Sequence, residues 1–187
     1  MTEDKSIVMI GATGAVGSQV VKALLRLEGI SKFTLLGRRP LSDVVSEKVT
    51  QHVVNVLDPD TYIEFLAGHT TAISTLGVGQ PSKMSKKQFI AIDRDANLHF
   101  GRACKTAGIQ HFQLLSSVGV DPKSSSFFLR CKGELEAGLK ELEFNRLSLF
   151  HPSMILTPEN RYGMSQGLTL LLWPLLTPIL FGPLRKF

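Results

Sequence analysis

Three glycines, two adjacent arginines and a few serine, lysine and histidine side chains carry the chemistry this sequence offers. Gly11, Gly14 and Gly17 follow the apolar run at 7–10. Behind them, Val16, Val20, Ala23, Leu24 and Leu27 fall at helical spacing. A strand, a glycine turn and a helix in that order make a cradle for a pyrophosphate. Gly11 would take the tight turn, Gly14 would let backbone approach the phosphates, and Gly17 would seat the helix on the strand. Free N–H groups and the positive end of the helix dipole would then face the anion. Glycines also mark ordinary loops; the strand before these and the helix after them select the dinucleotide reading.

The second chemical feature is Arg38-Arg39, in Gly37-Arg38-Arg39-Pro40 at the end of a second strand predicted over 32–36. An acidic residue at this junction accepts from the ribose 2′-OH of NAD. A guanidinium instead pairs with a 2′-phosphate through charge-assisted, often bidentate bonds. NADPH is therefore the expected cofactor. Two solvated arginines before a turn-forming proline are the alternative reading.

The remaining elements alternate. Residues 49–56 read as a third strand with Val53, Val54 and Val56 as its β-branched core. Asp58 then has two roles open to it: accepting from an adenine amino group, or capping a short helix that begins near Thr61 and packs through Tyr62, Phe65 and Leu66. A fourth strand over 71–76 is closed by Gly77-Val78-Gly79, small enough for backbone to approach a cofactor. The polar loop that follows, with Lys83, Lys86 and Lys87, would border a substrate or simply be solvated. Phe89, Ile92, Ala96 and Phe100 mark a long amphipathic helix over 88–107, ended by Gly108. A fifth strand, 111–115, delivers Ser116 and Ser117 to the carboxyl end of the sheet, where open α/β sheets present their chemistry. A helix from 127 to about 142 and a sixth strand, 146–150, lead to His151-Pro152-Ser153. His151 is a potential proton donor, with capping or packing as its alternatives.

Six strand-like segments alternating with helices predict an α/β, doubly wound parallel sheet (a Rossmann fold) in the order 3-2-1-4-5-6. The 187 residues are expected to form a single NAD(P)-binding domain, with the core over 1–150 and a C-terminal segment over 151–187. With 43 % hydrophobic and 20 % charged residues, the composition excludes a disordered chain. The net charge of +5 is mild and its basic residues are scattered, so nucleic acid is not an expected partner. Cys104 and Cys131 sit in predicted helices and are expected to be buried free thiols; no metal-ligand spacing occurs. The polar N-terminal residues resemble neither a signal nor a transit peptide, which makes the cytosol the expected location.

The C-terminal part differs in character. Between Arg161 and Arg185 no residue is charged, yet the apolar stretch 167–181 is short for a span and is broken by Pro174 and Pro178. It is expected to cover the substrate side of the sheet, or to lie at a subunit or membrane surface.

These pieces resemble the atypical short-chain dehydrogenase/reductases, and within them the NAD(P)H-binding group around the Tat-interacting metastasis suppressor and its fungal and bacterial relatives. The residues that carry the likeness are 11–17, 35–39, Asp93-Arg94-Asp95, 111–117, 132–136 and 150–153. The resemblance implies NADP(H) contacts at Thr13, Gly14, Ala15 and Val16, at Arg38 and Arg39 for the 2′-phosphate, and at Leu76 and Gly77. It places Lys132 on the nicotinamide ribose and Ile155 and Arg161 over the cofactor. Ser116 and Pro152, at the strand ends, are grouped with these contacts. Such relatives extend several tens of residues further, so a shortened chain is expected.

Reductases of this superfamily use a serine and a Tyr-x-x-x-Lys motif. Ser117 and Lys132 are in register with it, but the tyrosine position holds Phe128, which has no exchangeable proton. The expected function is an NADPH-dependent oxidoreductase acting on a carbonyl-like small molecule. Ser117, Lys132 and His151 are its candidate catalytic residues, with a water as a further proton source. The alternative is a non-catalytic NADP(H) sensor that acts through a protein partner.

Overall fold

The computed structural model describes residues 5–79, 84–153 and 155. Residues Met1–Ser153 pack as one compact unit. The strands are β1 (Lys5–Ile10), β2 (Ile30–Gly37), β3 (Val49–Val53), β4 (Thr71–Ser74), β5 (His111–Leu115) and β6 (Arg146–Phe150). All pair in parallel, in the order β3-β2-β1-β4-β5-β6. The fold is thus a doubly wound α/β sheet, and the chain reverses direction in the sheet between β1 and β4. That reversal opens a crevice at the carboxyl ends of the strands.

β1 and β4 form the centre and are buried on both faces, as in a sheet covered on both sides. Residues 7–10 and 71–74 are all buried. One face carries a core of Val8, Ile10, Leu36, Ala72, Phe112 and Leu114, packed on Phe100, Leu135 and Leu139. The other carries Ile7, Met9, Phe33, Leu35 and Ile73, packed on Val21. Beyond α1 (Ala15–Leu24), no described helix covers the β5–β6 half of that second face. A hollow there is lined by Ile73, Gln113, Leu115 and Phe150.

Several sequence expectations change in detail. Val53 is exposed on the outermost strand, while Val54 and Val56 turn back into the core. The short helix expected near Thr61 is two 3₁₀ turns, Pro59–Thr61 and Ile63–Leu66, and Tyr62 and Leu66 are buried as expected. Leu27 lies beyond the end of α1 and is exposed.

The long helix of 88–107 is continuous but irregular: α2 (Lys86–Ile90), a π-helical turn (Ala91–Asp95) and α3 (Ala96–Thr106). Ser85 and Gln88 form a capping box at its start. A π-turn inserts one extra residue, and such turns collect at functional sites. Here Asn97, fully buried, donates its amide to the carbonyls of Ile92 (3.1 Å) and Asp93 (3.2 Å) within that turn. The last helix is α4 (Phe127–Lys140). Of the expected C-terminal segment 151–187, residues 154 and 156–187, Arg161 among them, lie outside the described residues. Among the described residues, no helix is long and apolar enough to cross a membrane.

Candidate functional site

The glycine turn joins β1 to α1. Gly11 has a φ of 84°, in the left-handed region that favours glycine. Gly17 answers to crowding rather than to backbone angle: a Cβ there would meet the Gly11 carbonyl oxygen at 2.1 Å. The first turn of α1 therefore sits directly on the turn that precedes it. Gly14 caps α1, and among the described residues no side chain caps it, so its positive end can meet an anion. Thr75 braces the arrangement from β4, its hydroxyl donating to the Gly11 carbonyl at 3.0 Å.

A cleft runs from this turn across the carboxyl ends of β1 and β2. Its walls include Thr13, Gly14, Arg38, Arg39, Leu76 and Gly77. The two arginines are exposed and make no ion pair among the described residues. His52, stacked on Phe65 with ring centroids 3.7 Å apart, closes the far wall. Asp58 stays outside this wall: its carboxylate accepts from the Asp60 N–H at 3.2 Å and caps the first 3₁₀ turn. Of its two open roles, the geometry shows the cap.

The second half of the site hangs on α4. Lys132 and Glu136 lie one turn apart and share a face of that helix. The Lys132 ammonium stands 2.8 Å from Asp93 Oδ1, with both side chains buried. The other Asp93 oxygen accepts from the Val78 N–H at 2.8 Å, so one carboxylate fixes both the lysine and the loop after β4. Asn97 adds to that loop: it accepts from Ser74 Oγ and donates to the Leu76 carbonyl at 3.4 Å.

Glu136, also buried, accepts from Ser116 Oγ and from His151 Nε2, the latter at 2.7 Å. An ionised Glu136 accepts this bond from Nε2–H, which leaves Nδ1 outside the pair. The His151 side chain is 43 % exposed, enough to be reached by a ligand. Ser117 stands apart from this network; its hydroxyl donates only to the neighbouring Val118 carbonyl, at 3.5 Å. Phe128 packs on Phe89, centroids 5.8 Å apart, one helical turn before Lys132.

Sequence reasoning missed Thr75, Asp93, Asn97 and Glu136 as parts of the site. Two signals were available. Asp93 and Asn97 are polar residues on the inner side of an apolar helix, and Glu136 follows Lys132 at helical spacing. Ile155 is half-buried, and Pro152 follows β6 directly, its carbonyl accepting from the Val118 N–H at 3.1 Å.

Fold and site together define a dinucleotide-binding protein with a Rossmann fold. The chain belongs to the NAD(P)H-binding family, whose model matches residues 11–143. Protein HTATIP2 of Rattus norvegicus is 38 % identical over 82 % of this chain and 64 % of its own length. Protein FMP52, mitochondrial, of Coccidioides immitis is 28 % identical over 79 % of this chain and 64 % of its own. The chain thus spans 64 % of the length of both relatives. Among solved structures, the Bordetella bronchiseptica enzyme WbmH in complex with NAD+ superposes with a TM-score of 0.71 at 14 % identity, over 91 % of this chain and 62 % of that one. MoeE5 in complex with UDP-glucuronic acid and NAD gives 0.65 at 18 %, over 78 % and 54 %. At these identities the likeness shows the fold.

One expectation is overturned. Fungal relatives of Coccidioides, Emericella and Debaryomyces carry mitochondrial names, against the expected cytosolic location. A polar N-terminus is compatible with more than one compartment, and the inference from it to the cytosol does not hold.

Proposed function

We propose that this chain binds NADP(H) and acts as an oxidoreductase on a small carbonyl-like substrate. The observation that carries this reading is the pair of polar clusters on one face of α4: Lys132 with Asp93, and Glu136 with His151 and Ser116. The described residues suit such a cofactor. The uncapped start of α1 offers N–H donors for a pyrophosphate, and Arg38 and Arg39 offer two free cations where a 2′-phosphate would lie.

When bound, the nicotinamide supplies a hydride to the substrate carbon; the chain supplies position and a proton. Thr13, Gly14, Ala15, Val16, Leu76 and Gly77 hold the dinucleotide along the strand ends. Lys132, already fixed by Asp93, grips the ribose hydroxyls. Pro152, directly after β6, would complete the contacts. His151 would take over the proton transfer left open by Phe128: as an imidazolium it would hold Glu136 through Nε2–H, give its Nδ1 proton to the substrate oxygen and regain one from water.

The test follows NADPH oxidation at 340 nm against aldehydes, ketones and quinones. Turnover that falls about a hundredfold in His151→Ala, within the usual worth of a positioned acid, supports the reading. Tight NADPH binding without oxidation of any substrate, and with none gained by Phe128→Tyr, overturns it. That result favours the second reading, a cofactor-sensing protein that signals through a protein partner. Phe128 is the observation behind it. The mitochondrial names of the fungal relatives make mitochondrial association the location to test by fractionation.

A further inference from the structure

The turn that carries Arg38 and Arg39 is clamped from the neighbouring strand. The Leu41 N–H donates to Gln51 Oε1 at 2.7 Å, and Gln51 Nε2 donates back to the Leu41 carbonyl at 3.1 Å. One carboxamide therefore satisfies both backbone groups of the residue that ends Arg38-Arg39-Pro40-Leu41. Gln51 is itself anchored, since it stands opposite Leu35 in the β2–β3 pairing. Gln51, Leu41 and both arginines line the same cleft.

We infer that Gln51 is a positioning residue for 2′-phosphate recognition, and hence for the choice between the two nicotinamide dinucleotides. The inference rests on the NADP(H) reading above. Arg38 and Arg39 are long, exposed and unpaired among the described residues, so converging them on a dianion costs side-chain and backbone entropy. Pro40 fixes one backbone angle of the turn, and the Gln51 clamp fixes its far end. Both act before the ligand arrives, which is where preordering adds affinity. The uncapped start of α1, where a pyrophosphate would lie, is a separate element, so the clamp bears on the arginine turn alone. His52 closes the same cleft but is held by Phe65, independently of the clamp.

The experiment compares adenosine 2′,5′-bisphosphate with AMP, two probes that differ only in the 2′-phosphate, by calorimetric titration of the full chain. The unaltered protein is expected to bind the bisphosphate at least about tenfold more tightly, as charge-assisted bonds imply. Gln51→Leu, which keeps the volume and removes both hydrogen bonds, is expected to weaken the bisphosphate by about fivefold to tenfold and to change AMP by less than about twofold. Gln51→Asn, withdrawing the amide by one methylene, should do the same. Retained AMP binding shows that the variants fold. In an Arg38→Ala/Arg39→Ala background, Gln51→Leu should have no further effect, which a merely structural role would not produce. Equal losses for both probes, or none for either, overturn the inference. If the unaltered protein binds both probes equally, the 2′-phosphate reading falls, and the inference with it.

Discussion

Lys132 and Asp93 form a buried ion pair at 2.8 Å that ties α4 to the π-turn of the preceding long helix. The same carboxylate holds the Val78 N–H, so lysine, helix and cofactor-side loop share one anchor. Removing one partner of such a pair strands the other charge, at a cost of about 3–5 kcal/mol. Asp93→Ala should therefore lower the urea midpoint more than Asp93→Ala/Lys132→Met, which removes both charges. Strictly additive effects in the cycle would show that the pair is not coupled.

Crowding at the glycine turn gives a second expectation. Gly17→Ala places a methyl 2.1 Å from the Gly11 carbonyl oxygen and 2.7 Å from the Thr75 hydroxyl. Neither backbone nor brace can yield without moving the turn, so a destabilisation of about 1–3 kcal/mol and a loss of NADPH affinity should appear together. Among the described residues nothing lies within 4 Å of a Cβ at Gly79, and Gly79→Ala should leave the melting temperature unchanged.

Acid should destabilise the fold partly through His69. Burial holds this imidazole below its ordinary value of 6.5, against the opposing effect of its bond to the Leu66 carbonyl. Its other nitrogen is engaged by Thr34 Oγ1 at 2.9 Å. A depressed folded value means that the unfolded chain binds the proton first as pH falls. The contribution is fully present above about pH 6.5 and is lost as pH drops through the lower folded value. Thermal melts from pH 7.5 down to 5.5 should show this loss, and His69→Gln should flatten it. Burial also lowers His111, which adds in the same direction.

Both thiols should be silent in the native state. Burial raises Cys104 well above the usual thiol range and pushes Cys131 up to about 11, so neither presents a thiolate near pH 8. Titration with a chromogenic disulfide should find no fast-reacting thiol in the folded protein and both of the sequence's 2 cysteines in denaturant.

How much of this was legible in the sequence divides along physical lines. The six strands and their order were, because apolar runs at the sheet centre and helical spacing between them depend on local pattern. The glycine turn was, because the backbone angle at Gly11 and the crowding at Gly17 demand those residues. The π-turn was not: Phe89, Ile92, Ala96 and Phe100 keep a spacing that an ordinary helix also satisfies, and the distortion is held by the tertiary bonds of Asn97. Gln51 was not singled out in the third strand, and its reach across a turn to Leu41 is set by the folded chain. Glu136 read as part of a helical motif; its partners Ser116 and His151 come from two different strand ends that only the folded sheet brings together.

The central claim, that this chain holds NADP(H) through Arg38 and Arg39, is tested most directly by paired titrations of the protein with NADPH and NADH. NADPH should bind about ten- to a hundredfold more tightly, and Arg38→Ala should remove most of that preference while changing NADH little. An unchanged NADPH/NADH ratio in Arg38→Ala would contradict the account.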